Sequence, residues 1–157
     1  MITQITRKLE FDAGHRVLGH ETKCKHLHGH RYVAMITVSA LGLDSLSRVV
    51  DFSVVKAKVG TWIDDNWDHN ILLNPDDPLL DAAVDVEKDK DSPMELSDEP
   101  IWQGKQPFIM GPGQNPTAEV MAHYLFDVSV SLLEKEGLTV ERVRLYETPN
   151  CYADYTR

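Results

Sequence analysis

The run His28-Gly-His-Arg-Tyr-Val-Ala-Met-Ile-Thr-Val-Ser-Ala-Leu-Gly-Leu43 is dense in β-branched and aromatic side chains and predicts a strand. Working outward, residues 3–16 (TQITRKLEFDAGHR) alternate polar and apolar and predict another strand, separated from the first by a polar loop over 17–27. Gly42 to Ser47 reads as a hairpin turn and Arg48 to Phe52 as the returning strand. Ser53 then caps a helix over 54–67, with Val55, Val59, Trp62, Ile63 and Trp67 on or near one face. Residues 107–110 (PFIM) read as a short strand. Asn115-Pro116 opens a second helix, Asn as N-cap and Pro at the first helical position. Its buried stripe is Val120, Met121, Tyr124, Leu125, Val128, Leu132 and Leu133, and Gly137 supplies the stop. Two strands follow, 139–147 and 151–156, around the turn Thr148-Pro149-Asn150. This order predicts one α+β domain over 1–157, with helices on one face of an antiparallel sheet.

At 157 residues the chain is long enough to bury a core without disulfides, and Cys24 and Cys151 alone cannot build a four-cysteine zinc site. No apolar run reaches the ~20 residues of a membrane span. The N-terminal MITQITRKLE reads as neither signal nor transit peptide, so cytoplasmic residence is the expectation. Residues 74–100 hold ten acids against Lys88 and Lys90, a charge of −8 out of the total −9. The rest of the chain is nearly neutral and offers no basic stripe for nucleic acid. From about 75 to 106 the periodicity fades, and the stretch reads as an acidic surface insertion.

Five of the seven histidines fall between His15 and His30. His28 and His30 flank Gly29, and residues two apart on a strand share a face, so both imidazoles can reach one ion. His15 closes the preceding strand, and strands lie about 4.8 Å apart, so a third imidazole is geometrically easy. Three neutral imidazoles suit Zn²⁺ and leave a fourth position open, as in catalytic zinc sites. His20 and His26 read as solvated loop residues. Cys24, between Lys23 and Lys25, reads either as a fourth ligand closing a structural site or as a base or nucleophile beside an open one. Cys151 reads as a small buried hydrophobe. At Asp68-His69 a carboxylate beside an imidazole can make a general base, although helix-end capping by His69 is the simpler reading. Glu147 can accept paired N–H donors from a flat heterocycle; taken alone it reads as a charge guarding an edge strand.

Phe11-Asp-Ala-Gly-His15, Cys24-x-x-x-His28-Gly-His30, Val50-Asp51-Phe52 before a helix, Asp68-His69, Pro116-Thr117-Ala-Glu119 and Tyr146-Glu147-Thr148 occur in this order. Together they resemble the 6-pyruvoyl-tetrahydropterin synthase family, and within it the 6-carboxy-5,6,7,8-tetrahydropterin synthases of queuosine and 7-deazapurine biosynthesis. The resemblance implies a tunnelling fold (T-fold), a four-stranded antiparallel sheet with two helices on one face. It also implies a homohexamer of two stacked trimers with active sites at subunit interfaces. By position, His15, His28 and His30 match the zinc ligands, Cys24 the catalytic cysteine, and Asp68 and His69 the proton relay. Glu147 matches the carboxylate that anchors the pterin, and Thr117 lies where the family contacts the pterin ring. The implied substrate is 7,8-dihydroneopterin triphosphate. The short Cys24-to-His28 interval resembles the carboxy-forming branch, which releases acetaldehyde and triphosphate; a pyruvoyl-forming or aldolase-like activity on the same scaffold is the alternative. The 75–106 stretch has no counterpart in the short bacterial members, and an acidic loop beside a triphosphate would repel it, so it is expected to pack away from the pocket.

Overall fold

The computed structural model describes residues 2–84 and 106–157. Its centre is the pairing of β1 (Gln4–His15) with β2 (His28–Ser39), antiparallel from Gln4 opposite Ser39 to His15 opposite His28. β5 (Thr139–Thr148) pairs with β2, and β6 (Cys151–Thr156) pairs with β5, completing four antiparallel strands. Two short strands extend the sheet beyond β1, giving the order β4-β3-β1-β2-β5-β6. β3 (Asn70–Leu73) runs parallel to the end of β1, and β4 (Phe108–Ile109) runs parallel to β3. The expected four-stranded sheet is thus the antiparallel part of a six-stranded one.

The pleat decides what is buried. Leu9, Phe11, Ala13 and His15 of β1 and Tyr32, Ala34, Ile36 and Val38 of β2 point to one face, where Val143 and Leu145 of β5 join them. Two helices cover that face. The first, α1, spans residues 52–66 as Phe52–Val55, a π-helical turn Lys56–Gly60, and Thr61–Asn66. The last, α3 (Ala118–Leu133), lies across β5 and β6. Val55, Val59, Ile63 and Trp67 are fully buried, as are Met121, Leu125 and Leu133. Between helices and sheet, Trp67, Trp62, Phe108, Tyr124 and Phe11 form a ring cluster with neighbouring centroids 5.2–6.1 Å apart. Gly137 adopts the left-handed conformation, φ 75°, that ends the helical region.

Several expectations are corrected. Residues 48–52 form no strand: Asp44 and Asp51 bind the Arg48 guanidinium, and Asp44 also accepts the backbone N–H groups of Leu46 and Arg48, curling 44–51 into a turn. Asp51, not Ser53, is the N-cap, its carboxylate accepting the Ser53 N–H. The cap of α3 is Thr117, not Asn115, whose side chain is engaged elsewhere. The start of the acidic stretch is ordered rather than a surface excursion, with Asn74 and Asp77 buried and a short helix α2 (Leu79–Val84) after them. Residues 85–105 of the expected insertion lie outside the described residues.

Candidate metal centre and its surroundings

Because β1 and β2 are in register to their ends, His15 sits opposite His28, one pair beyond Ala13 and His30. All three imidazoles lie on the helix-covered face but beyond the apolar core, where the row Leu9-Phe11-Ala13 continues as His15. Ring centroids are 4.6 Å apart for His15 and His28, 5.1 Å for His15 and His30, and 4.8 Å for His28 and His30. One nitrogen from each ring falls within 4.8 Å of the other two.

Backbone carbonyls set the tautomers. His15 Nδ1–H donates to the Pro116 carbonyl at 2.7 Å, and His28 Nδ1–H donates to the His26 carbonyl at 2.7 Å. A carbonyl can only accept, so each ring keeps its Nε2 lone pair free. Among the described residues, the Nε2 atoms of His15 and His30 are buried and have no hydrogen-bond partner. Buried polar atoms are seldom left unpaired, and two aimed into one cluster fit a metal ion. Burial holds the His15 imidazole below the ordinary histidine range, against the opposing pull of the Pro116 bond and of Glu147. Burial lowers His30 likewise, with Glu147 again opposing. Both effects favour the neutral, ligating form.

Glu147 projects from β5 onto the same face, its Oε1 3.5 Å from His30 Nε2. β5 lies between β2 and β6, so Glu147 does not guard an edge strand. Thr117 directly follows the carbonyl that holds His15, and its hydroxyl accepts the Val120 N–H at 3.4 Å. Cys24 sits half-buried in a 3-10 turn, Lys23–Lys25, its carbonyl bound by the Val17 N–H. It is not among the side chains that converge with the histidines, so the closed four-ligand site is not formed among the described residues. Cys151 is exposed rather than a buried hydrophobe.

Asp68 and His69 form a pair of their own. His69 Nδ1–H donates to Asp68 Oδ2 at 2.7 Å, leaving Nε2 free as an acceptor on an exposed ring. The ring therefore does not cap α1. Asp68 Oδ1 accepts the Asp12 N–H, and the His69 N–H donates to the Asp12 carbonyl, fixing the pair to β1. His69 has φ 53°, a left-handed conformation uncommon for a non-glycine residue. Leu72, three residues on, lies opposite His15, which puts the His69 backbone on the order of 10 Å from His15 along the strand direction.

What the sequence reading missed is the support around His15. Arg16, one residue past it, binds Asp77 with two guanidinium nitrogens, and Asn115 bridges to Leu18 and Asn74. Only the adjacency of Arg16 to His15 and of Asn115 to Pro116 hinted at this. Asp77 was hidden in the acidic run.

The family model for 6-pyruvoyl tetrahydropterin synthase matches residues 4–157. A 6-carboxy-5,6,7,8-tetrahydropterin synthase from Rickettsia bellii is 36% identical over 150 residues, covering 95% of this chain and 96% of that one. The extra length of the acidic stretch is therefore not peculiar to this chain. The protein of the same name from Haemophilus influenzae is 28% identical over 155 residues, covering 97% of each. Among solved structures, an uncharacterised Wolinella succinogenes protein superposes with TM-score 0.76 at 26% identity, covering 100% of this chain and 99% of that one. The Caenorhabditis elegans 6-pyruvoyl tetrahydropterin synthase shares the fold, with TM-score 0.64 at 21% identity over 100% and 96% of the two chains. With a match along nearly its whole length, this chain belongs to the 6-pyruvoyl tetrahydropterin synthase family of pterin lyases.

Proposed function

We propose that the protein is a zinc-dependent 6-carboxy-5,6,7,8-tetrahydropterin synthase. It converts 7,8-dihydroneopterin triphosphate and releases acetaldehyde and triphosphate, in the cytoplasm, on the route to queuosine and related 7-deazapurines. The observation that carries this reading is the convergence of His15, His28 and His30 beside an anchoring carboxylate, with the Nε2 atoms of His15 and His30 buried and without a hydrogen-bond partner among the described residues. His15, His28 and His30 would hold the Zn²⁺, which when bound supplies a Lewis acid for the hydroxyls of the substrate side chain.

The chain's own groups supply binding and proton transfer. Glu147, on the same face, accepts the paired N–H donors of the pterin ring and fixes its distance from the imidazoles, while Thr117 flanks the ring. Cys24, flanked by Lys23 and Lys25, moves a proton at the side-chain carbon as its thiolate. Asp68 holds His69 in the tautomer with Nε2 unprotonated, so His69 is the second base.

The separation of the relay pair from the imidazoles supports an interfacial site in which two copies contribute to one pocket. The sheet has the edges for such an assembly. β1 pairs with β3 only from Ala13 to His15, and a groove of about 580 Å³ runs between its remaining outer edge and α1. At the far end of the sheet, the terminal strand β6 pairs on one side only among the described residues. Joining β6 of one copy to β1 of the next would close a ring and bury both edges, consistent with the expected hexamer of two trimers. The deciding experiment incubates the zinc-loaded protein with 7,8-dihydroneopterin triphosphate and identifies the products. 6-Carboxytetrahydropterin with acetaldehyde supports the proposal; a 6-pyruvoyl product moves the protein to the other branch, and no turnover refutes it.

A further inference from the structure

We infer that Asp77 and Asn115 are positioning residues for the metal-binding imidazole of His15, so that the root of the acidic stretch is part of the metal centre's support. This rests on the reading of His15 as a metal ligand.

Three chain segments meet behind His15: residues 16–18 leaving β1, residues 74–77 leaving β3, and residues 115–117 entering α3. Each pair is tied by side-chain bonds. Arg16 Nε donates to Asp77 Oδ2 at 2.5 Å and Arg16 Nη2 to Oδ1 at 2.7 Å, a two-pronged contact with a carboxylate whose side chain is wholly buried. Oδ1 also accepts the Leu79 N–H at 2.8 Å, so both carboxylate oxygens are engaged. Asn115 Oδ1 accepts the Leu18 N–H at 2.9 Å and the Asn74 Nδ2–H at 3.1 Å, while Asn115 Nδ2 donates to the Leu18 carbonyl at 3.0 Å. Asn74 in turn accepts the Asp76 N–H at 2.9 Å.

The geometry has a direction. Asn115 precedes Pro116, whose carbonyl takes the His15 Nδ1–H, and Arg16 follows His15. The carbonyl that fixes the His15 tautomer therefore sits in a segment whose own position is set by Asn115, and the backbone beside His15 is set by Arg16 through Asp77. A guanidinium–carboxylate fork defines both distance and angle, which a single bond does not. Partners beyond the ligands of a metal site hold ring orientation in this way, and their loss weakens metal binding ten- to hundredfold.

The test uses the full chain, stripped of metal, in competition with a chromophoric zinc chelator, and the d–d absorption of the cobalt-substituted protein. Asp77→Asn and Asn115→Ala are each expected to bind zinc ten- to hundredfold more weakly than the parent chain and to shift the cobalt bands. Asp77→Glu, which can re-form the fork, recovers part of the loss. In a His15→Ala background the Asp77→Asn and Asn115→Ala effects on zinc affinity fall below threefold, because they act through that ring. Should Asp77→Asn fail to fold, with Arg16 left without its counter-charge, Asn115→Ala decides the matter alone. Folded variants whose zinc affinity stays within twofold of the parent, or losses undiminished without His15, overturn the inference. A parent chain that binds no zinc overturns the metal reading itself, and unchanged chemistry with weakened zinc leaves the inference standing.

Discussion

Gly29 lies between His28 and His30, and replacing it with alanine tests whether the ligand geometry is set by strand packing. A β-carbon there would meet the Ala13 carbonyl oxygen at 3.1 Å, about 0.3 Å inside ordinary contact. Ala13 cannot yield easily, since β1 is paired at that residue with His30 on one side and Asn70 on the other. The displacement therefore falls on β2, between the two ligands. Metal–ligand distances tolerate about ±0.2 Å, so a shift of this size weakens zinc binding roughly ten- to hundredfold, or ~1.4–2.8 kcal/mol. Overpacking costs about 1–3 kcal/mol of stability, offset by about 0.5–1 kcal/mol gained when a strand glycine is replaced. The variant thus stays folded. Zinc competition on the metal-free protein, with thermal melting as control, measures both quantities. A folded Gly29→Ala protein that binds zinc within twofold of the parent refutes the reasoning.

Other perturbations separate the roles of the site residues. His15→Ala and His28→Ala should each lower zinc affinity at least a hundredfold, dividing a total of about 10–16 kcal/mol among the ligands; His15→Ala alone should lower the melting temperature of the metal-free protein, because only His15 is fully buried. Cys24→Ala should retain zinc while kcat falls roughly 10²- to 10⁴-fold, and metal analysis showing loss of zinc would contradict its assignment as a proton-transfer group. Glu147→Gln should raise KM for the pterin with zinc content unchanged, by about ten- to hundredfold if a charged hydrogen bond of about 1.5–3 kcal/mol is lost. Acid stability offers a further check. The Ser53 hydroxyl and N–H hold the Asp51 carboxyl below its ordinary 3.8, so the stability it contributes is complete above that value and lost as pH falls through the folded pKa. Asp51→Asn keeps the cap without the charge, so any melting-temperature gap between parent and variant should narrow from pH 6 to pH 2; a widening gap would reverse the sign.

The legible part of this protein was the part written in local periodicity. The 3.6-residue spacing of Val55, Val59, Ile63 and Trp67 marked the face of α1 that the sheet covers, β-branched and aromatic density marked β2, and a two-residue repeat marked β1. The same repeat put His28 and His30 on one face before any contact was known. Residues 48–52 were misread because Val49 and Val50 carry strand propensity, whereas the Asp44 and Asp51 carboxylates fold the segment around Arg48. The start of the acidic run was misread for the opposite reason. A carboxylate reads as surface until its cation is found, and the partner of Asp77 lies 61 residues away in sequence.

Residue type and spacing alone determined that three imidazoles could share an ion, since those depend only on the pleat and on ligand chemistry. Tertiary structure decided which face they occupy, which ring nitrogen His15 and His28 present, and that Cys24 and the Asp68–His69 pair stand outside the cluster. These are matters of where distant backbone carbonyls and strand ends arrive in space. A carbonyl has the same chemistry at every residue, so nothing in the sequence marks the one at Pro116 as the partner of His15.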